Sequence, residues 1–162
     1  MSQTPDAPRD RLVAITLDEG SIARGSINTE HEREVAIYDI LDANSFVVEG
    51  RDDGPYALRL SIIEDRLVFI VDTEPASGEH TFMLSLSPLK RVMKDYFIVC
   101  DSYYKAIRTS PPSKIQAIDM GRRGLHDDGS RQLAERLKGK IEVDHDTARR
   151  LFTLICALHW KG

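Results

Sequence analysis

The sequence is poor in cysteine and has no long hydrophobic run. Its two cysteines, Cys100 and Cys156, both stand among apolar residues on predicted helices, where a free thiol usually packs as a small hydrophobe. A chain of 162 residues buries enough surface to fold without a disulfide or a metal ion. The two free thiols in apolar surroundings indicate a reducing compartment, and we expect no cofactor. The longest strongly apolar run, residues 151–160, is interrupted by Thr153 and His159 and is too short to cross a bilayer.

The beginning of the chain also lacks the apolar core of a secretory signal. Residues 1–11 are polar and carry Pro5 and Pro8, so we predict a disordered arm there, followed by a single α+β domain over residues 12–162. With neither a signal nor a membrane span in the sequence, we expect a cytoplasmic protein with no membrane partner.

Lysine is absent from the first 87 residues, which hold seven Arg against seventeen Asp and Glu. Residues 88–162 hold fifteen Lys and Arg against nine carboxylates, so the two halves carry −10 and +6, which sum to the net charge of −4. This asymmetry indicates an anionic partner for the second half, unless the two halves face and neutralise one another in the fold.

The first half contains the patterns of one helix and several strands. Residues 12–17 have the mixed apolar and β-branched content of a half-buried strand. Thr29 with Glu32 forms a capping box, and the apolar residues that follow at helical spacing predict a helix ending near Asn44. Short apolar runs then predict strands at residues 46–49, 56–63, 67–72 and 80–86.

Turn signals between these strands decide the predicted sheet type. The turn at residues 51–55 contains an Asp-Gly dipeptide, and Glu64 with Asp65 makes the next connection, so both read as tight hairpins. Because hairpins join antiparallel neighbours, we predict an antiparallel meander. The alternation of Tyr56, Leu58, Leu60 and Ile62 with Ala57, Arg59 and Ser61 marks one buried face of that sheet.

The second half has helical patterns almost throughout. Ser87 as N-cap with Pro88 at the first helical position begins a long helix through Ile107. Ser113 with Gln116 predicts a short helix through Met120, which Gly121 closes, and a further helix covers residues 130–138.

After a brief strand at residues 140–143, Asp144 caps a last helix. Its apolar stripe consists of Ala148, Leu151, Phe152, Ile155 and Leu158. We therefore predict an α+β fold, in which an antiparallel meander from the N-terminal half is covered by a helical layer mainly from the C-terminal half.

The strongest functional candidate is the glycine-bracketed stretch over residues 120–130, predicted as a loop. Two adjacent guanidinium groups, at Arg122 and Arg123, suit a phosphate or a carboxylate. If the next helix begins there, Ser130 and Arg131 offer free amide groups that complete an anion site beside His126. The structural alternative is that Asp127 and Asp128 pair with the two arginines inside the fold. The spacing matches neither a Walker loop nor a dinucleotide fingerprint.

Three other groupings of reactive side chains indicate chemistry less strongly. His126 beside Asp127, and the run Asp144-His145-Asp146, match no metal-binding signature, so we predict no metal site. Cys156 and His159 lie three apart on one helix, but the apolar stripe around the thiol favours packing over catalysis. Tyr104 and Lys105 are surface candidates for stacking bases and meeting phosphates, although nearby acids dilute the positive field.

Several long strings of the sequence together resemble one known family. They are KDYF at 94–97, SYY at 102–104, AIDMGRRGLH at 117–126, DTARRLF at 146–152 and LHW at 158–160, with EHER at 30–33 and GPY at 54–56. On these strings the chain resembles uncharacterised protein family 0262 of alphaproteobacteria over nearly its whole length. The resemblance implies a bacterial cytoplasmic protein of this length and carries no catalytic residue across.

Three functions remain open on the sequence. We favour a non-enzymatic binding or regulatory module that recognises an anionic partner (protein carboxylates, a nucleotide or RNA) through Arg122 and Arg123. The second is a small metal-independent enzyme, with His126 as general acid or base beside Asp127 and the arginines stabilising negative charge. The third is a homodimer whose exposed helical face packs on itself. A pocket holding His126 between the arginines favours the enzyme, and a flat basic surface favours a macromolecular partner.

Overall fold

The computed structural model describes residues 9–73 and 78–159. Its elements follow the chain as β1 Leu12–Leu17, α1 Ile27–Asp42, β2 Phe46–Val48, β3 Tyr56–Ile63, β4 Arg66–Thr73, β5 Glu79–Ser85, α2 Ser87–Thr109, α3 Pro112–Leu137, β6 Ile141–Val143 and α4 His145–His159. The predicted α+β class is confirmed, because strands dominate the first half and helices the second.

The predicted disordered arm falls largely on residues 1–8, which lie outside the described residues. Its last three residues are described, and they bond to the body of the protein. The Arg9 guanidinium donates to the carbonyl of Gly54 at 3.2 Å, and the carbonyl of Asp10 accepts from the amide of Phe46 at 2.9 Å. These hydrogen bonds attach the chain to the rest of the domain immediately before β1 begins.

The main sheet has the strand order β1-β3-β4-β5 and is mixed. Strands β3, β4 and β5 form the predicted antiparallel meander, but β1 lies at the edge and pairs in parallel with β3. The prediction of a purely antiparallel sheet is therefore wrong. The reason is the helix α1 between β1 and β3, because a crossover connection through a helix returns the chain in the same direction.

Strand β2 does not join the main sheet. It pairs antiparallel with β6 in a separate two-stranded sheet, in which Val48 lies opposite Ile141. The hairpin predicted from the turn at residues 51–55 is therefore wrong, since the strands on either side of it belong to different sheets. The hairpin at Glu64-Asp65 is confirmed, and positive φ values of 48° and 63° at these two residues suit a tight turn between twisted strands.

One face of the main sheet is buried under the helices. The predicted alternation in β3 holds from Tyr56 to Leu60 but not beyond, since Ser61 is buried and Ile62 is half-buried. Tyr56, Leu58 and Leu60 are fully buried, and across the β3–β4 ladder Leu58 pairs with Val71 and Leu60 with Phe69. The opposite face carries exposed ion pairs, such as that of Arg59 with Asp72. The core therefore lies between the sheet and the helical layer.

Helices α1, α2 and α4 follow the predicted pattern, and the first two differ from it in their N-caps. Helix α1 is capped by Ser26, whose hydroxyl accepts from the amide of Thr29 at 3.2 Å, rather than by Thr29 itself. The N-cap of helix α2 is Leu86, one residue before the predicted N-cap Ser87. Helix α4 buries its whole apolar stripe, and Asp144 accepts from the amide of Thr147 at 2.8 Å, as predicted. Among the helices of the described residues, none has both the length and the apolar content that crossing a membrane requires.

Helix α3 is the largest difference from prediction. The stretch over residues 120–130 is not a loop but the middle of one helix of 26 residues. Glycines at helix interiors each cost about 1 kcal/mol relative to alanine, and this cost is offset here by packing and by ion pairs. Leu133 and Leu137 are fully buried, and Asp119 pairs with Arg122 and Arg123 at the spacings that support a helix.

Candidate functional site

A pocket of about 390 Å³ opens where α3 and α4 meet, next to α2. Helix α3 contributes Arg122, Arg123 and His126, and α4 contributes Arg149, Arg150 and Thr153 with the same spacing along the helix. Tyr96 of α2 completes the lining. Residues at positions i, i+1 and i+4 lie on neighbouring parts of a helix surface, so each helix presents two guanidinium groups and one uncharged polar group.

The charge of the pocket is positive. Among its lining residues every charged side chain is an arginine, and the nearest carboxylates lie outside the lining. Asp119 pairs with Arg122 at 3.1 Å and with Arg123 at 3.0 Å, while Asp127 contacts Arg149. Two carboxylates thus partner three of the four guanidinium groups, and a surplus of positive charge remains.

Fixed contacts position the arginines. The guanidinium of Arg122 lies over the Tyr103 ring, 4.5 Å from its centre, in a cation–π contact. Arg150 donates to the carbonyl of Ala43, just after α1, at 3.0 Å. Arg123 is the most exposed of the set, with 73% of its side chain accessible, whereas Arg122 has 30%. The pocket therefore combines partly buried guanidinium groups with a largely exposed one.

His126 is held as a neutral imidazole at the base of the pocket. Burial, followed by the charges of Arg149 and Arg122, lowers its pKa to about 4. Thr153 donates its hydroxyl proton to the carbonyl of Arg149 at 3.1 Å, so its oxygen accepts the Nε2 proton of His126 at 2.7 Å. The imidazole packs edge-on against Tyr96 and Phe152, with ring centres 5.5 and 5.2 Å away.

Of the five residues predicted to bind an anion, the structure brings together Arg122, Arg123 and His126. Ser130 is fully buried and donates to the carbonyl of His126 at 2.7 Å, inside the continuous helix, so the predicted free amides at a helix beginning are not there. Arg131 pairs with Asp128 at 3.0 Å, outside the pocket. The predicted pairing of the two arginines with Asp127 or Asp128 is also wrong, because their partner is Asp119 one turn earlier.

The half of the pocket that α4 contributes was not predicted from the sequence. Arg149 and Arg150 lie in the string DTARRLF, but nothing in their local sequence places α4 beside α3. A signal was available: an Arg-Arg pair followed three residues later by a polar side chain occurs once in each helix.

A second cavity, which we call the aromatic groove, lies between α1, α2 and α4 and has a volume of about 430 Å³. Its lining includes Tyr96, Phe97, Tyr104 and both cysteines, with Glu32 and Asp39 on the α1 side. Burial raises the pKa of the Cys100 and Cys156 thiols, which therefore stay protonated at neutral pH. Cys156 is buried and Cys100 is half-buried.

The remaining candidates do not gather into a catalytic or metal centre within the described residues. His126 bonds to Thr153 while Asp127 contacts Arg149, so the two do not act as a pair. Asp144 serves as the cap of α4. Over residues 9–73 and 78–159, no group of three or more His, Cys, Asp and Glu side chains comes close enough to hold a metal ion.

Comparisons with known proteins place the chain among close relatives. Residues 9–161 match the profile of the Uncharacterised protein family (UPF0262). A UPF0262 protein of Rhodopseudomonas palustris (strain BisB5) is 57% identical over 98% of this chain and 97% of its own length. Relatives in Nitrobacter hamburgensis, 56% identical over 100% of both chains, and Brucella canis, 58% identical over 98% and 99%, carry the same family name. No solved structure matches the chain significantly.

Proposed function

Because the chain belongs to the uncharacterised protein family UPF0262, we infer its function from its own residues, and we propose that it is a binding or regulatory module that recognises an anionic ligand. The site of recognition is the pocket between α3 and α4. This revises the predicted mechanism, since the guanidinium groups are presented by two helices and not by a glycine-rich loop.

One observation supports this proposal above all others: four arginines line one recess that has no carboxylate among its lining residues. Guanidinium groups bind phosphates and carboxylates through paired hydrogen bonds, and they do so best where water is partly excluded. A neutral His126 and the Thr153 hydroxyl add polar groups without adding charge. A recess of this size favours a compact anion or the end of a ligand over the flat face of a macromolecule.

Calorimetric titration of the full-length protein with inorganic pyrophosphate tests the proposal. We expect saturable binding that weakens at least tenfold in a variant carrying Arg122→Ala and Arg149→Ala, since each lost charged hydrogen bond contributes about 1.5–3 kcal/mol. Arg131→Ala is the matched control, because Arg131 lies on α3 but outside the pocket. Equal affinity in all three proteins, or no binding to the parent, would refute recognition at this pocket.

A small enzyme is the second candidate, and the presence of His126 in the same pocket as Arg122 and Arg123 favours it. A phosphate ester kept with the protein should then be converted, and phosphorus NMR of the mixture over hours would detect the product. We expect the ligand to be recovered unchanged, because the low pKa of His126 makes it a weak base and Asp127 does not support it. Turnover that disappears in a His126→Gln variant would favour the enzyme instead.

A further inference from the structure

The arginine pocket and the aromatic groove share two lining residues, Tyr96 and Thr153, so the two cavities adjoin, and we call the two together the cleft. We propose that this cleft binds a nucleotide, with its phosphates in the pocket and its base in the groove. The inference rests on the anion binding proposed above and adds the chemical class of the ligand. Neither the arginine pocket nor the aromatic groove alone indicates a nucleotide. The assignment rests on the two together.

The middle of the cleft presents aromatic surface. Tyr96, Phe97 and Tyr104 of α2 all line the groove, and 55% of Tyr104 is exposed. Stacking of a nucleotide base on an aromatic side chain is favourable, and the free energy gained depends little on which base it is. The ring of Tyr96 lies where the two parts meet, since it also packs against His126. A flat ring system attached to a phosphate would therefore have stacking partners directly beside the arginines.

The far wall of the groove carries hydrogen-bond acceptors. Glu32 and Asp39 of α1 line it and are exposed, and Asn28 lies on the same side. Carboxylates accept hydrogen bonds from the amino groups of bases. An acyl chain in the same place would cover these carboxylates without pairing them, which costs free energy. The occupant of the groove should therefore be flat, apolar on its faces and a hydrogen-bond donor at its edge.

The two ends of the cleft thus have opposite charge, and a nucleotide with an amino-bearing base complements both. Phosphates meet Arg122, Arg123, Arg149 and Arg150, and the amino group meets Glu32 or Asp39. The groove of about 430 Å³ and the pocket of about 390 Å³ each fall within the usual size of a small-molecule site. A free anion such as pyrophosphate would occupy only the arginine pocket.

Matched ligands test this on the unaltered protein. Adenosine diphosphate and inosine diphosphate differ in whether an amino group stands on the base, as do cytidine diphosphate and uridine diphosphate. We expect the amino-bearing member of each pair to bind more tightly than its partner, and adenosine diphosphate to bind about tenfold more tightly than pyrophosphate, as one stacked base provides. Calorimetric titration at one salt concentration measures all five ligands.

Variants separate the two parts of the cleft. Tyr104→Ala should weaken adenosine diphosphate about tenfold and leave pyrophosphate unchanged, while Glu32→Gln with Asp39→Asn should remove the preference for amino-bearing bases. Tyr38→Ala is the control, since Tyr38 is an exposed tyrosine of α1 that lines neither cavity. All of these residues are exposed, so the variants should keep the parental fold.

The outcomes distinguish the two proposals. If pyrophosphate and every nucleotide bind equally, anion recognition stands and the nucleotide assignment is overturned. If dodecyl phosphate binds more tightly than any nucleotide, the groove holds an acyl chain and the assignment is again overturned. If only RNA binds, the ligand is a macromolecule and the assignment fails. If nothing with a phosphate binds, the arginine pocket is not a phosphate site and both proposals fail together.

Discussion

Gly129 of α3 lies directly against the ring of Phe152 of α4, so close that a Cβ atom at position 129 would overlap the ring. Phe152 is fully buried and its ring also packs against Tyr96 and His126. The absence of a side chain at position 129 thus lets α3 approach α4 closely.

We predict that Gly129→Ala destabilises the protein by about 1–3 kcal/mol, because the added methyl group overpacks a well-filled contact. Gly124→Ala is the matched control, since a Cβ there meets open space. The control should gain up to about 1 kcal/mol from the better helix propensity of alanine. Chemical denaturation measures both, and equal effects at the two positions would contradict the packing role of Gly129.

Replacing Arg122 and Arg123 by alanine should change binding far more than stability. Their ion pairs with Asp119 lie within one helix, where such pairs contribute only a few tenths of a kcal/mol each. We expect the free energy of unfolding to fall by about 1 kcal/mol, including the lost contact of Arg122 with Tyr103. Thermal melting measures this, and a much larger loss would show that the arginines hold the fold together.

His126 should make stability depend on pH in a mildly acidic range. Its folded pKa of about 4 lies below the unfolded value of 6.5, so the unfolded chain takes up the proton first as the pH falls. Stability is therefore lost progressively between pH 6.5 and 4. After allowance for solvent screening at this half-buried site, we expect His126→Gln to remove about 1 kcal/mol of that loss.

His31→Gln is the control for this measurement, because it replaces an exposed imidazole on α1. Carboxylates such as Asp53, whose pKa is lowered mainly through hydrogen bonds from His80 and Tyr56 despite opposing burial, also lose stability in acid, so only the difference between the two variants is informative. Denaturation curves at pH 7 and 4.5 measure how much stability each variant loses on acidification, and hence the difference between them. If both variants follow the parent, His126 does not titrate as proposed.

The thiols should react slowly in the folded protein and quickly in denaturant. Burial raises the pKa of both, and the thiolate is the reactive form. Cys100 should label before Cys156, since it is only half-buried at the groove. Mass spectrometry after timed alkylation gives the order, and fast labelling of either native thiol at neutral pH would favour a catalytic cysteine.

The helical second half should not fold alone. The stripe on α4 packs against α1 and belongs to the same core as the buried residues of the sheet, and β6 has its partner strand in the first half. A fragment of residues 87–162 should therefore expose apolar surface, bind a hydrophobic dye and aggregate. A cooperative melt of the fragment as a monomer would disprove the single-domain assignment.

Local patterns predicted the elements well where packing and propensity agree. The spacing of apolar residues located β1, β3, α2 and α4, because alternation and helical periodicity are properties of the sequence itself. The continuity of helix α3 was missed, since three glycines led to a predicted loop between two shorter helices. Its stability comes from contacts with α2 and α4 that no local pattern displays. The parallel pairing of β1 was missed because it depends on how α1 crosses the sheet.

The candidate site was likewise predicted only in part. Arg122, Arg123 and His126 were found because they are adjacent in sequence, although the reason given for them, a loop before a helix, was wrong. Arg149 and Arg150 join them only through the packing of α4 on α3. This packing includes the close contact between Gly129 and Phe152, which the local sequence of neither helix predicts.

The small sheet of β2 and β6 has a consequence for how the protein is made. Val48 and its partner Ile141 are 93 residues apart. During synthesis β2 leaves the ribosome long before β6 exists, and the pairing must wait until the residues of β6 have been translated. Contacts so distant in sequence slow folding, because a long loop must close before they form. The fold is therefore completed only after β6 has been synthesised, and ribosome-stalled chains that stop before Ile141 should be far more sensitive to protease than the full-length protein.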